Sequence, residues 1–433
     1  MGVLFCIAAF VVTFVASRRS IVTGLGAVAC TGYFYGIVRA NFPEPASHFI
    51  FDSSVLALYA VHLLSPASQA TRTRANAMLP WFAALVAWPV LLAFLPLQDP
   101  LVQLVGLRGN IFLLPFLLIG ARLTRDELHR FAVVLAILNL LALAFTGAEY
   151  LIGIAPFFPH NSNTELIFRS ADVANAQLRI PSIFTNSHAY AGTMVMTLPL
   201  LIGAWAAPGA SVARRMLLIL AILAAMLGVF AAAARVHTVV LAVVVLATVV
   251  SRRTGVRTRA AMLAAVGIVA IAVVSQARLQ RFTTLQDSDS VSKRIGSSVN
   301  TSFFDLLIEH PLGNGLGGGG TSMPFFLQSR LHDAVIMENE YARILIEQTS
   351  IGLLLWIAFI LWFLSQRISA TARLWSLTEE LGWVGTASYF ATGLLGIGLL
   401  TSIPHTMLVL LCAGSATAWR LPEYEALVEH EPQ

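Results

Sequence analysis

Charge is scarce in this chain, so the arginines in or beside apolar segments are where its chemistry is to be sought. Arg235 separates two apolar runs in Ala231-Ala-Ala-Ala234-Arg235-Val-His237, Arg108 lies about two turns inside another, and Arg343 stands at the start of a third. A cation within a membrane segment is costly enough to count as a functional hypothesis by default. Arg179, Arg278, Arg281, Lys293 and Arg294 fall in two polar loops. Guanidinium groups gathered on one side of a bilayer offer planar, multidentate, permanently charged donors, which is what a membrane-embedded diphosphate needs. For any one of these arginines, snorkelling or pairing with a nearby carboxylate is the competing structural role.

The sharpest cluster is Met337-Glu338-Asn339-Glu340-Tyr341-Ala-Arg343-Ile-Leu-Ile-Glu347, where a long loop enters an apolar helix. Positions 340, 343 and 347 share one helical face, so Glu340, Arg343 and Glu347 can form an ion-pair ladder. Glu338 and Asn339 stand at the helix start, where unpaired amides and the dipole also favour anions. Glu338 or Glu340 could serve as a general base if burial raises its pKa, and a plain N-terminal charge is the alternative for Glu338. The glycine run Gly313-Asn-Gly315-Leu-Gly-Gly-Gly-Gly320 lacks a following Lys-Ser or Lys-Thr and a preceding strand, so it reads as a tight, flexible turn beside a site rather than a nucleotide loop. His188, His310 and His332 show no metal-ligand spacing, and no metal is expected. His62, His237 and His405 are expected to satisfy helix-packing hydrogen bonds.

The elements that must position these residues follow from composition. Of 433 residues, 57% are hydrophobic and 11% charged, against roughly a quarter charged in soluble proteins, which excludes a soluble enzyme. Apolar segments fall near 2–16, 20–39, 49–64, 78–97, 101–120, 131–154, 188–206, 216–234, 237–251, 260–275, 341–365, 383–400 and 404–419, each near the roughly 20 residues that cross a bilayer. The fold class is therefore all-α, a polytopic membrane protein of about twelve or thirteen spans. Alternate loops carry Arg18 and Arg19; Arg72 and Arg74; Arg122, Arg125 and Arg130; Arg214 and Arg215; Arg252, Arg253, Arg257 and Arg259; Arg367 and Arg373; and Arg420. The intervening short loops 41–48, 98–100 and 401–405 hold no Lys or Arg, so the positive-inside rule puts the C-terminus in the cytoplasm and the N-terminus outside. Such dispersed basic residues are topogenic and imply no nucleic-acid partner.

Four regions follow: 1–275, membrane helices with an outer loop near 155–187; 276–340, a large outer loop; 341–420, further membrane helices; and 421–433, a cytoplasmic tail. In the large loop, Ser302-Phe-Phe-Asp305-Leu-Leu-Ile-Glu309 before His310-Pro311 predicts a short capped helix with a proline stop. Met1 is followed at once by Gly-Val-Leu-Phe without a basic stretch, so the first block is expected to be a membrane helix, not a cleaved signal. Cys6, Cys30 and Cys412 sit in apolar segments without CxxC spacing and carry no redox reading. No internal repeat is visible.

The order of these motifs resembles that of the O-antigen ligase and O-antigen polymerase superfamily of bacterial inner membranes. The matching elements are Arg294, then Glu309-His310-Pro311-Leu312-Gly313-Asn-Gly315, then the helix entry "HNxyLxxLxExGxxGl", met here by Asn339, Tyr341, Leu345, Glu347, Gly352 and Leu353. Earlier, Arg179-Ile-Pro-Ser182-Ile-Phe184-Thr-Asn186 is similar to the "RxxGxFxN" segment, and Ala234-Arg235 to an "SR" before a membrane helix. Together the matches span roughly residues 179 to 355.

The resemblance implies an inverting, metal-independent glycosyltransferase that needs no cofactor. Its donor is an oligosaccharide on undecaprenyl diphosphate, displayed at the periplasmic face of the inner membrane, and its acceptor is a glycan hydroxyl. Membrane lipid and a chain-length regulator are the further partners implied. Arg179, Arg235 and Arg294 would hold the diphosphate, with Arg343 in support, and stabilise charge on the leaving oxygen. Glu338, with Glu340, would receive the proton; His310, Gly313, Gly315 and Asn339 would shape the loop beside the site. The superfamily's ligases carry His at the position of Glu338 and Gly at that of Thr349. Its polymerases vary more there, so polymerisation of repeat units into O-antigen, capsule or exopolysaccharide is the expected reaction. Ligation to lipid A core or another acceptor is the alternative. A flippase for lipid-linked glycan would use the same arginines, but would not need the long outer loop and would normally show paired repeats. A catalytically inactive scaffold is the remaining alternative.

Overall fold

The computed structural model describes residues 1–64, 69–169, 178–276, 279, 303–310, 312–320, 323–333, 335, 337, 339–396, 398 and 400–418. Among them all regular structure is helical. In hydrocarbon every backbone N–H and C=O must be paired within its own segment, and a helix does this for an apolar stretch of any composition. The helices run α1 Gly2–Arg19, α2 Ile21–Asn41, α3 Ile50–His62, α4 Gln69–Ala75, α5 Leu79–Leu92, α6 Pro100–Ile111, α7 Pro115–Arg122, α8 Arg125–Ile152, α9 Glu165–Phe168, α10 Ser187–Ala206, α11 Val212–Ala231, α12 Arg235–Val250, α13 Val256–Ser275, α14 Phe303–Glu309, α15 Glu340–Ser365, α16 Leu377–Thr392 and α17 His405–Thr417.

Each apolar stretch of the sequence coincides with a helix in this series, and the predicted short helix of the large loop is α14. Eight are long and apolar enough to cross a membrane: α1, α2, α6 with α7, α8, α10, α11, α13 and α15. The protein is therefore a polytopic membrane protein. Burial sorts them: 89% of α10 is enclosed, against 17% of α1 and 28% of α13, so α10 is the central post and the other two present apolar faces to lipid. The α6–α7 pair is one apolar stretch broken at Pro115, which has no N–H to give. The carbonyl of Phe112 freed by that break accepts the Tyr59 hydroxyl at 2.8 Å.

Close approach between helices depends on small residues, as is usual where no water drives association. A Cβ on Gly120 would overlap the backbone of Leu411 in α17, and one on Gly414 would overlap that of Leu117 in α7. Gly414→Val is expected to force these helices apart and cost about 1–3 kcal/mol. A lower midpoint of thermal unfolding in detergent, with Gly396→Ala in open space as the neutral control, checks this.

At the bundle end away from the α10 N-terminus, arginines read as topogenic also make ion pairs. Arg125 meets Glu379 at 3.1 Å, and Glu380 receives Arg253 at 2.8 Å and Arg367 at 2.9 Å.

Candidate functional site

Two polar clusters lie towards the N-terminal end of α10. The first is built on α15. Asn339 caps this helix, its side chain accepting from the amides of Tyr341 at 2.8 Å and Ala342 at 3.1 Å. One turn on, Arg343 donates to Glu340 at 2.7 Å and Glu347 at 2.6 Å, and to Asn110 of α6 at 3.1 Å. All three charged side chains have no exposed surface. The ladder read from the i, i+3 and i, i+4 spacing is thus present. In it the Arg343 guanidinium faces two carboxylates, and Glu340, enclosed, accepts from Arg343 and from the Gly398 amide at 2.7 Å.

The glycine turn packs onto this cluster and so is structural rather than a flexible loop. Residues 315–319 are buried between α6 and α15. Gly106 of α6 lies against the backbone at Leu316 and Gly317, and the Asn314 amide donates to the Ile346 carbonyl at 2.7 Å. A side chain at Gly319 would press on Glu347 Oε1, 2.9 Å from its Cβ. Gly313 and Gly315 have φ of 73° and 79°, the left-handed region where glycine alone avoids a steric penalty. The His310 carbonyl accepts the Gly313 amide at 2.9 Å and closes the turn after α14.

After Glu347 the helix is interrupted. Thr349 has φ 64° and ψ 179°, a region almost confined to glycine. The free carbonyl of Gln348 accepts the Trp88 indole N–H at 2.7 Å. A β-branched residue there stores strain, so Thr349→Gly is expected to stabilise the protein by about 1 kcal/mol, net of the glycine's own entropy. An unchanged or lower unfolding midpoint would remove this account of the interruption.

The second cluster gathers at the start of α10. The segment 178–186 is held between α2 and α8: Ile37 N–H donates to Ile183 O at 3.1 Å, and Glu149 accepts the Ser182 amide at 2.9 Å. Gly36 allows that approach, since a Cβ there would overlap the backbone of Phe184 and Thr185. Ser182 has φ 52°. The segment delivers Arg179, whose Nη1 lies 3.0 Å from His188 Nε2 on the first turn of α10. Partial burial pushes the Arg179 pKa down, so an arriving anion would relieve a desolvation cost. The His188 ring stands 6.0 Å from that of His237, two residues after Arg235 in the first turn of α12. Arg179 thus meets one histidine of this pair, and Arg235 precedes the other by two residues on α12.

Beyond His237 lie His405 at 6.3 Å and Tyr389 at 5.8 Å, ring to ring, grouped around Gly192. These histidines were expected to satisfy packing hydrogen bonds. Instead His237 Nδ1, His405 Nε2 and Tyr389 Oη are buried without a partner among the described residues. Nothing in the helical periodicity distinguished this file, because its members come from α10, α12, α16 and α17. Among the described residues no three His, Cys, Asp or Glu side chains are placed to hold a metal ion.

Arg108, on α6, makes a two-toothed pair with Asp52, both contacts at 2.7 Å, the structural alternative for this arginine. His48, between α2 and α3, donates from Nε2 to Asn163 Oδ1 at 3.1 Å and packs against the rings of Phe325 and Phe326. Burial first, and the nearby Arg39 charge second, lower the His48 pKa to about 4. The native state therefore favours the neutral ring; its contribution is intact above pH 6.5 and is lost as pH falls from there to about 4. Stability should fall over that window in the native chain and more shallowly in His48→Gln, at a slope of up to about 1.4 kcal/mol per pH unit. Equal slopes in unfolding titrations would contradict it.

Arg294 and Glu338, together with Arg278, Arg281 and Lys293, lie outside the described residues. No protein-family model and no curated protein matches this chain.

Proposed function

We propose that this chain is a glycosyltransferase that extends polysaccharide from undecaprenyl-diphosphate-linked repeat units at the periplasmic face of the bacterial inner membrane. In this reading about twelve or thirteen spans cross the membrane and the C-terminus is cytoplasmic. The large loop stands over an outward-facing lipid-diphosphate site. Arg179 and Arg235, with Arg294, bind the diphosphate. The acceptor hydroxyl attacks the anomeric carbon, and the lipid diphosphate departs with its bonding electrons, so no nucleotide is consumed.

The observation that supports this reading most is backbone conformation. Among the described residues four non-glycine positions have positive φ, and two of them, Ser182 and Thr349, are where the superfamily's motifs carry glycine. A motif glycine marks a backbone need that a substituted residue must still meet. The pairing of Arg179 with His188, whose ring neighbours that of His237, adds the chemistry an anionic leaving group requires.

The test is reconstitution in lipid with an undecaprenyl-diphosphate oligosaccharide, without metal or nucleotide, and separation of products by size. A ladder of repeats that depends on Arg179, Arg235 and Arg294 is expected. Single transfer to an added core acceptor, without a ladder, would replace polymerisation by ligation. Folded protein that forms neither product would leave lipid-linked glycan transport as the reading to pursue.

A further inference from the structure

His188 Nε2 and Arg179 Nη1 are 3.0 Å apart. A guanidinium can only donate, so Nε2 must present its lone pair, and the ring is neutral with its proton on Nδ1. His188 is exposed, whereas His237 behind it and His405 beyond are 8% and 3% exposed. Among the imidazoles of this file, His188 is the one a hydroxyl from outside can reach. Among the described residues, the acids of the neighbouring cluster, Glu340 and Glu347, are enclosed around Arg343.

We propose that His188 is the base of the transfer reaction and that the donor's diphosphate switches it on by drawing Arg179 away; this rests on the glycosyl-transfer reading above. With no donor present, Arg179 occupies the lone pair and the base is silent. Diphosphate oxygens attract a guanidinium more strongly than a neutral nitrogen does, because both ends of the hydrogen bond are then charged and the contact can be bidentate. Arg179 then turns to the phosphate and Nε2 opens to the acceptor. The acceptor oxygen bonds to the anomeric carbon, and the bond from that carbon to the phosphate oxygen breaks, its electron pair leaving on the diphosphate. The hydroxyl proton passes to Nε2. The imidazolium, being exposed, returns the proton to water.

The experiment uses the full chain in nanodiscs of phosphatidylethanolamine and phosphatidylglycerol. Transfer by the unaltered protein and by His188→Ala is followed with and without free imidazole. Histidine ¹⁵N spectra of the unaltered protein are recorded before and after adding undecaprenyl diphosphate. The expected result is a kcat lowered about 100-fold or more in His188→Ala, with KM for the donor changed little, and partial recovery with imidazole. The Nε2 resonance should also shift on adding the diphosphate, as it loses the Arg179 donor. A kcat in His188→Ala within about threefold of the unaltered protein, or a loss that imidazole does not restore, would overturn the base assignment while leaving a transferase standing. An Nε2 resonance unmoved by saturating diphosphate would overturn the switch. Unaltered protein inactive with every donor would instead sink the transferase reading itself.

Discussion

Arg343→Met is expected to destabilise the protein by about 3–5 kcal/mol, the usual result of removing one partner from a buried ion pair. The arginine's side chain has no exposed surface, and its removal would leave Glu340 and Glu347 facing each other without a cation. Among the described residues their remaining partners are the Gly398 amide and the Asn110 side chain, too few to offset two desolvated carboxylates. Arg343→Lys should recover only part of the loss, since an ammonium cannot reach Glu340, Glu347 and Asn110 with the same fork. The decisive comparison is with the triple variant Arg343→Met, Glu340→Gln, Glu347→Gln. If stranded charge is the cause, the triple variant should be more stable than the single one in detergent unfolding. A single-variant cost below about 1 kcal/mol would mean that the ladder is not what secures this helix.

Arg179→Ala is expected to reduce glycan transfer about 10²–10³-fold, the range seen when one donor to a developing anion is removed. Its fold should survive, because the segment is held by backbone groups of Ile183 and Ser182 rather than by the arginine. The two arginines therefore separate by readout. Loss at position 343 should show in unfolding midpoint and accumulation; loss at position 179 should show in turnover of protein that unfolds normally. Equal transfer rates for Arg179→Ala and the native chain would remove the second cluster as the reaction centre.

The legible features were those with a local physical cause. Segment length and apolarity located the helices, since hydrocarbon tolerates an apolar helix whatever its periodicity. The segment 101–120 reads as one span, and the break at Pro115 that divides it into α6 and α7 emerged only in the structure. The α11 start was less legible: Arg214 and Arg215 read as loop residues but belong to the helix, because Ser211 caps it one turn earlier. The spacing of Glu340, Arg343 and Glu347 announced a ladder, but not that α6 and the glycine turn would close over it.

By itself the sequence determined an all-helical polytopic membrane protein and the candidate arginines, because both follow from the cost of placing charge and bare backbone in hydrocarbon. Tertiary structure decided what each candidate faces. Arg343 turned inward to two carboxylates from its own helix, while Arg179 met a histidine from another element beside the helix that carries Arg235. It also put Thr349 and Ser182 in backbone regions their side chains disfavour. Local spacing sets which residues share a face, as in the ladder, but what closes over that face comes from chain tens to hundreds of residues away: Asn110 and the glycine turn over Arg343, and His237 beside the His188 that Arg179 meets.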